Sequence, residues 1–193
     1  PVGAGVVGAV GAFVRARVGA TVGSNVGATV VALVRDGAIV GASVSVGAAD
    51  GTGGGQNMAD ETVKEIEEAG GTAVGNYDSV ATPEGGEAIV QTALDNFGQV
   101  DIVVNNAGIL LKKPTEDMSE EEMIEVLNIH LVGAFSLSKY AARRMMENGG
   151  GSIVFISSMA GLFGIPYVAA YSAAKTAHLG LVRTMTTLSL IHI

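Results

Sequence analysis

Two apolar patterns alternate along the chain from residue 59 onward. Val100-Asp101-Ile102-Val103-Val104 and Ile153-Val154-Phe155-Ile156 are short, β-branched runs that predict buried strands, and Thr72 to Tyr77 predicts another. Between them the spacing becomes helical. A charged amphipathic helix is expected from about Ala59 to Ala69, with Val63 and Ile66 on its apolar side and Gly70-Gly71 as its stop. Thr82-Pro83-Glu84 opens the next helix with a cap, a proline at the first position and an acid in the first turn, and Gly98 ends it. Ser119-Glu120-Glu121-Glu122 is a capping box opening a long helix to about Glu147, and an Ala-rich segment around residues 171–175 predicts one more. Gly51 to Gln56 and Ile109 to Met118 read as loops.

The first 50 residues differ from this. Gly, Ala and Val fill 35 of the 50 positions, and the segment carries +1 of a total charge of −8. A strand-helix-strand start can be drawn through it: strand Phe13 to Val18, turn Gly19 to Gly27, helix Ala28 to Asp36 stopped by Gly37, and strand Ile39 to Val46. The turn would then cradle a pyrophosphate at a helix N-terminus. Two origins stay open: a nucleotide-binding unit of unusually simple composition, or a stretch translated out of frame, because Gly, Ala and Val codons share a first base.

Composition narrows the function classes. A chain of 193 residues is expected to form one domain. The acidic balance, with a pI near 4.8, argues against a nucleic-acid footprint. Absence of cysteine removes disulfide frameworks and thiolate metal sites and fits a cytoplasmic protein, and the three histidines, at 130, 178 and 192, have no metal-ligand spacing. Mean hydropathy is +0.43, yet the uncharged run Val18 to Val34 is 17 residues long and broken by Gly19, Gly23, Ser24, Asn25 and Gly27, so no membrane span is expected. Arg15 and Arg17 follow the first apolar run, opposite to a signal peptide.

The candidate chemistry lies between Ser152 and Lys175. Tyr171 and Lys175 stand four apart on a predicted helix, so phenol and ammonium share a face. A phenol, with an ordinary pKa of about 10, becomes a usable proton donor or acceptor near neutrality when a cation favours its phenolate. Ser158, at the end of the preceding strand, would hydrogen-bond the same substrate oxygen. A second strand runs into Asn105-Asn106-Ala107-Gly108. Together, NNAG after a strand, Ser158 thirteen residues before Tyr171, and YSAAK resemble the short-chain dehydrogenase/reductase family.

That resemblance implies a three-layer, Rossmann-like α/β domain with a mostly parallel sheet, NAD or NADP as cofactor, and Ser158, Tyr171 and Lys175 as catalytic residues. The reaction implied is hydride exchange between nicotinamide and a secondary alcohol or ketone. Cofactor contacts fall on Gly23 and Gly27 of the glycine turn, on Asp78, on Asn105, Ala107 and Gly108, and on Tyr171 and Lys175. The family's Thr-Gly-x-x-x-Gly-x-Gly is kept here only at Gly23 and Gly27; Gly3-Ala4-Gly5-Val6-Val7-Gly8 offers a rival G-x-G-x-x-G. Ser45 falls where the family selects between cofactors, Asp50 is the nearest acid, and no suitable Arg follows, which leans to NAD over NADP. His130 stands where the family usually has a catalytic Asn; it either holds a proton-relaying water or packs as a helix residue. His130 and Asn76-Tyr77-Asp78-Ser79-Val80 also resemble the (3R)-hydroxyacyl-CoA dehydrogenase units of peroxisomal multifunctional enzymes, which points to a 3-hydroxyacyl thioester. The family's closing strands are expected to be missing, and Leu188 to Ile193, LSLIHI, fits no family pattern. A homo-oligomer paired through residues 119–147 and the Tyr171 helix is expected if the whole domain is present. The alternatives are a non-catalytic fragment and a related NAD-dependent epimerase or dehydratase.

Overall fold

The computed structural model describes residues 28–34, 37–42, 55–68 and 70–191. Among them one five-stranded sheet forms from β1 (Ala28–Val34), β2 (Gly37–Ala42), β3 (Ala73–Asn76), β4 (Ile102–Asn105) and β5 (Ser152–Phe155), in the order β3-β2-β1-β4-β5. β2 pairs with β3 and β4 with β5 in parallel, while β1 is antiparallel to both β2 and β4. Four strands therefore share one direction, and Asn76, Asn105 and Phe155 end three of them at one rim of the sheet.

The helix expected over Ala28–Asp36 is corrected: Ala28 to Val34 is the central strand β1. The physical reason is legible afterwards. Thr29, Val30, Val31 and Val34 are β-branched, lose side-chain freedom in a helix and suit a pleated surface, and the segment has no polar face for a helix to show to water. The strand expected over Ile39–Val46 starts earlier, at Gly37, and is described as far as Ala42. The expected strand Phe13–Val18, the turn with Gly23 and Gly27, the Gly3–Gly8 pattern, Ser45 and Asp50 lie outside the described residues.

The helices are α1 (Gly55–Glu68), α2 (Pro83–Phe97), α3 (Glu120–Leu127), α4 (Ala134–Glu147) and α5 (Ala169–Ile191). α1 begins four residues ahead of the expected Ala59, with Ile66 buried as the spacing requires. Thr82 caps α2, its Oγ1 accepting from Gly85 N at 3.1 Å, and Gly98 closes it in the left-handed region at φ 76°. Ser119 and Glu122 form the expected capping box on α3, and Lys113 adds an ion pair to Glu122 at 2.8 Å. The long helix expected to Glu147 is interrupted: Asn128–Gly133 winds as a π-helical turn between α3 and α4. Such wide turns inside helices are frequent at functional sites.

One core gathers Val80, Ile89, Val90, Val103, Leu137 and Met145, from the turn before α2, from α2 and α4, and from the sheet. Val103 faces that cluster; Val104, turned to the other face by the alternation of a strand, is also buried, so β4 is covered on both sides. α2 docks closely enough that a Cβ on residue 85 would lie 1.8 Å from the Ser79 carbonyl oxygen. Gly85→Ala is therefore expected to destabilise the fold by about 3 kcal/mol in a denaturant titration, since backbone must move to admit the methyl group.

Candidate active site

α5 carries Tyr171 and Lys175 one turn apart. Small neighbours let the helix lie close to its surroundings: Ala170 and Ala174 are fully buried, and a Cβ on Gly161 would stand 2.8 Å from the Lys175 carbonyl carbon. The lysine side chain is 3% exposed. Its Nζ lies 5.6 Å from the centre of the Tyr171 ring and donates to the Ile156 carbonyl at 2.7 Å. Burial pulls its pKa down from 10.5 to about 8. The end of β5 is tied to the same helix by Ser157, whose Oγ donates to the Lys175 carbonyl at 3.0 Å. Ser158 follows and caps the short 3-10 turn Met159–Gly161, its Oγ accepting from Ala160 N at 3.2 Å. No hydrogen bond joins Ser158 to Tyr171; the proton of its hydroxyl is free to donate elsewhere.

His130 comes in from the π turn and meets Tyr171 edge to face, with ring centres 5.2 Å apart at 86°. It is 2% exposed, and burial, with the Lys175 charge second, lowers its pKa to about 4, so the ring is neutral at pH 7. Its Nε2 faces both the N–H and the carbonyl of Ile109, at 3.0 and 2.7 Å, and the ring tautomer decides which is used. A Cβ on Gly108 would fall 2.0 Å from the His130 ring, so the glycine of NNAG is the residue that admits this imidazole. Tyr171, Lys175, His130 and Gly108, chosen from sequence, thus form one cluster.

The remaining described candidates lie along the same rim. Asn105 is buried at the end of β4; its Nδ2 donates to Ser138 Oγ at 2.9 Å and its Oδ1 has no partner. Asn106 and Ala107 line a small cleft with Asn105, Ile129 and His130. Asp78 is exposed beyond β3, its carboxylate held by Asn76 Nδ2 at 2.9 Å. Across the rim, the segment leading into α5 is fastened to the Ile109–Met118 loop by Lys113 N, which donates to the Tyr167 carbonyl at 2.8 Å. Tyr167 is a non-glycine residue with positive φ, 68°, a strained conformation of a kind that collects at binding sites.

Four polar positions to which the sequence assigns no site role, Asn76, Ser138, Ser157 and His178, also stand here. Asn76 ends β3 as Asn105 ends β4, and His178 follows Lys175 on the same helical face, so strand-end and helix-face spacing could have found two of them. Among the described residues there is no group of acids and histidines able to hold a metal, and no helix long and apolar enough to cross a membrane.

A sheet in this order, with four strands running one way, β1 opposed to them, and the Tyr171–Lys175 pair at the rim, is of the Rossmann-like α/β type. The chain belongs to the short-chain dehydrogenase/reductase family: the family model described as short chain dehydrogenase matches residues 27–190. A Mycobacterium tuberculosis protein named as a short-chain type dehydrogenase/reductase is 44% identical over 155 residues, covering 80% of this chain and 54% of that protein. The peroxisomal hydratase-dehydrogenase-epimerase of Saccharomyces cerevisiae is 45% identical over 149 residues, 75% of this chain and 16% of that protein. A short chain dehydrogenase from Mycobacterium avium, solved by crystallography, superposes with a TM-score of 0.65 at 37% identity, over 74% of this chain and 51% of that one. The chain spans about half the length of the first of these relatives and less of the yeast protein.

Proposed function

We propose that this domain catalyses reversible oxidation of a secondary alcohol to a ketone with a nicotinamide cofactor, NAD before NADP. The observation that carries the reading is the buried Lys175 cation beside the Tyr171 ring, an arrangement that costs folding stability and so points to a residue kept for chemistry. Tyr171 exchanges the proton of the substrate hydroxyl. Lys175 supplies positive potential to the phenol oxygen in a region of low dielectric. Ser158, whose oxygen accepts from Ala160 N, keeps its O–H to direct to the substrate oxygen.

The residues at the rim fit the cofactor. Asn105 offers a buried oxygen without a partner and Ala107 lines the small cleft beside it with no more than a methyl group, while the open side of Gly108 is taken by the His130 ring. When bound, the nicotinamide would give or take the hydride. Lys175 and Tyr171 would face its ribose, and Asp78 its adenine. For substrate, we favour a 3-hydroxyacyl thioester, supported by the similarity to the yeast hydratase-dehydrogenase-epimerase. A cytoplasmic homo-oligomer is the assembly we favour, and the exposed apolar positions Ile124, Val132 and Phe135 along α3, the π turn and α4 support pairing through that face.

Titration of the purified chain with NADH and with NADPH, followed by nicotinamide fluorescence, tests the reading. Saturable binding of NADH, with oxidation of a 3-hydroxyacyl thioester in the presence of NAD, is the expected result. Absence of binding by either cofactor would replace it with the non-catalytic fragment.

A further inference from the structure

His178 lies one turn beyond Lys175, so residues 171, 175 and 178 form one stripe on α5. The side chain is 2% exposed. Its Nε2 is 2.7 Å from the carbonyl oxygen of His130, and its ring packs against Phe155 at 5.4 Å, tilted by 57°. A carbonyl oxygen can only accept, so Nε2 carries the proton and Nδ1, buried without a partner, carries the lone pair. A leucine would fill this volume without burying a polar ring, so the imidazole needs a reason to be there. The bond supplies one: it joins α5, which bears Tyr171 and Lys175, to the π turn, which bears His130, while the ring rests on the end of β5.

We propose that His178 is a positioning residue for the active site, its Nε2–H holding the His130 carbonyl so that the π turn keeps the His130 ring edge-on to Tyr171 and against Gly108. The inference rests on the reading of Tyr171 and Lys175 as the reacting pair. The titratable groups facing His178 are Lys175 on its own helix and His130 on the π turn, and burial lowers the pKa of both histidines. At neutral pH the bridge is a bond between uncharged groups and is insensitive to salt.

The test combines histidine ring 15N NMR with steady-state kinetics on the wild-type chain, His178→Leu and His178→Gln. In the wild type, His178 is expected as the Nε2–H tautomer, with His130 neutral down to about pH 4. In His178→Leu the π turn loosens and admits water. The His130 midpoint should then rise toward 6.5, and turnover per folded molecule should fall about tenfold with a smaller change in KM. His178→Gln, whose amide reaches the same carbonyl, should restore both in part. Wild-type values of His130 titration and turnover in His178→Leu, even with a lowered Tm, would overturn the proposal by leaving His178 a packing residue only. An Nδ1–H tautomer in the wild type would overturn it whether or not the variants fold. If the wild type turns over no substrate, the functional reading fails, and the His130 titration still decides the role of His178.

Discussion

Tyr171→Phe is expected to lower turnover by about 10³-fold while leaving NADH affinity within about threefold of wild type. The substitution removes one oxygen and keeps the ring. The edge contact with His130 and the approach of the Lys175 ammonium both involve that ring, so the variant should fold with an unchanged Tm. What disappears is the acid-base group on the substrate oxygen, which Ser158 cannot replace because a hydroxyl beside no cation is a poor proton acceptor. Steady-state kinetics paired with a cofactor titration separates the two effects. Full turnover in the variant would refute the assignment of Tyr171.

Lys175→Met should abolish measurable turnover and make the domain more stable, the opposite signs marking a residue kept for chemistry. The lysine pKa falls from 10.5 to about 8 on folding, so the folded state binds this proton more weakly than the unfolded state does. A shift of that size corresponds to about 3 kcal/mol of destabilisation. It is fully present below pH 8 and shrinks as pH rises from 8 to 10.5, where the unfolded lysine also loses its proton. Methionine removes the penalty and also removes the hydrogen bond to the Ile156 carbonyl, worth about 1–2 kcal/mol with the acceptor left buried. The net gain is about 1 kcal/mol at pH 7, and it should decline across that alkaline window. Urea titrations of both chains at pH 7, 8.5 and 10 measure it. A variant less stable than wild type at pH 7 would show that the ammonium is net stabilising where it sits.

The parts of the fold legible in the sequence were those set by local chemistry. Thr82, Ser119 with Glu122, and Gly98 mark helix ends because each satisfies backbone groups within a few residues of itself, and the structure has them as expected. β3, β4 and β5 were found from β-branched runs to within two residues of their ends. β1 reads as a helix in the sequence because Ala28 to Val34, with Thr29 its one polar residue, shows no alternation of apolar and polar positions. Such a run has no periodicity to separate strand from helix, and only pairing with β2 and β4, a long-range event, decides it. The Tyr171–Lys175 pair was legible because helix spacing alone brings the two side chains together. The His130–Tyr171 contact was not, since it depends on how a π turn is seated against α5. His178 has no metal-ligand spacing in the sequence, and its place on the Tyr171–Lys175 face is the informative fact.

The wide turn at Asn128–Gly133 also separates the windings of α3 and α4. In an uninterrupted α-helix each residue added or lost rotates all that follows by about 100°. A π turn can take up that offset locally, so shedding one residue between 128 and 133 would heal into ordinary helix with every backbone bond intact. The same shortening would swing His130 off Tyr171 or carry the Ser138 hydroxyl away from Asn105. Length in this stretch is therefore under tighter constraint than side-chain identity: the backbone tolerates a deletion that the His130–Tyr171 and Asn105–Ser138 contacts do not.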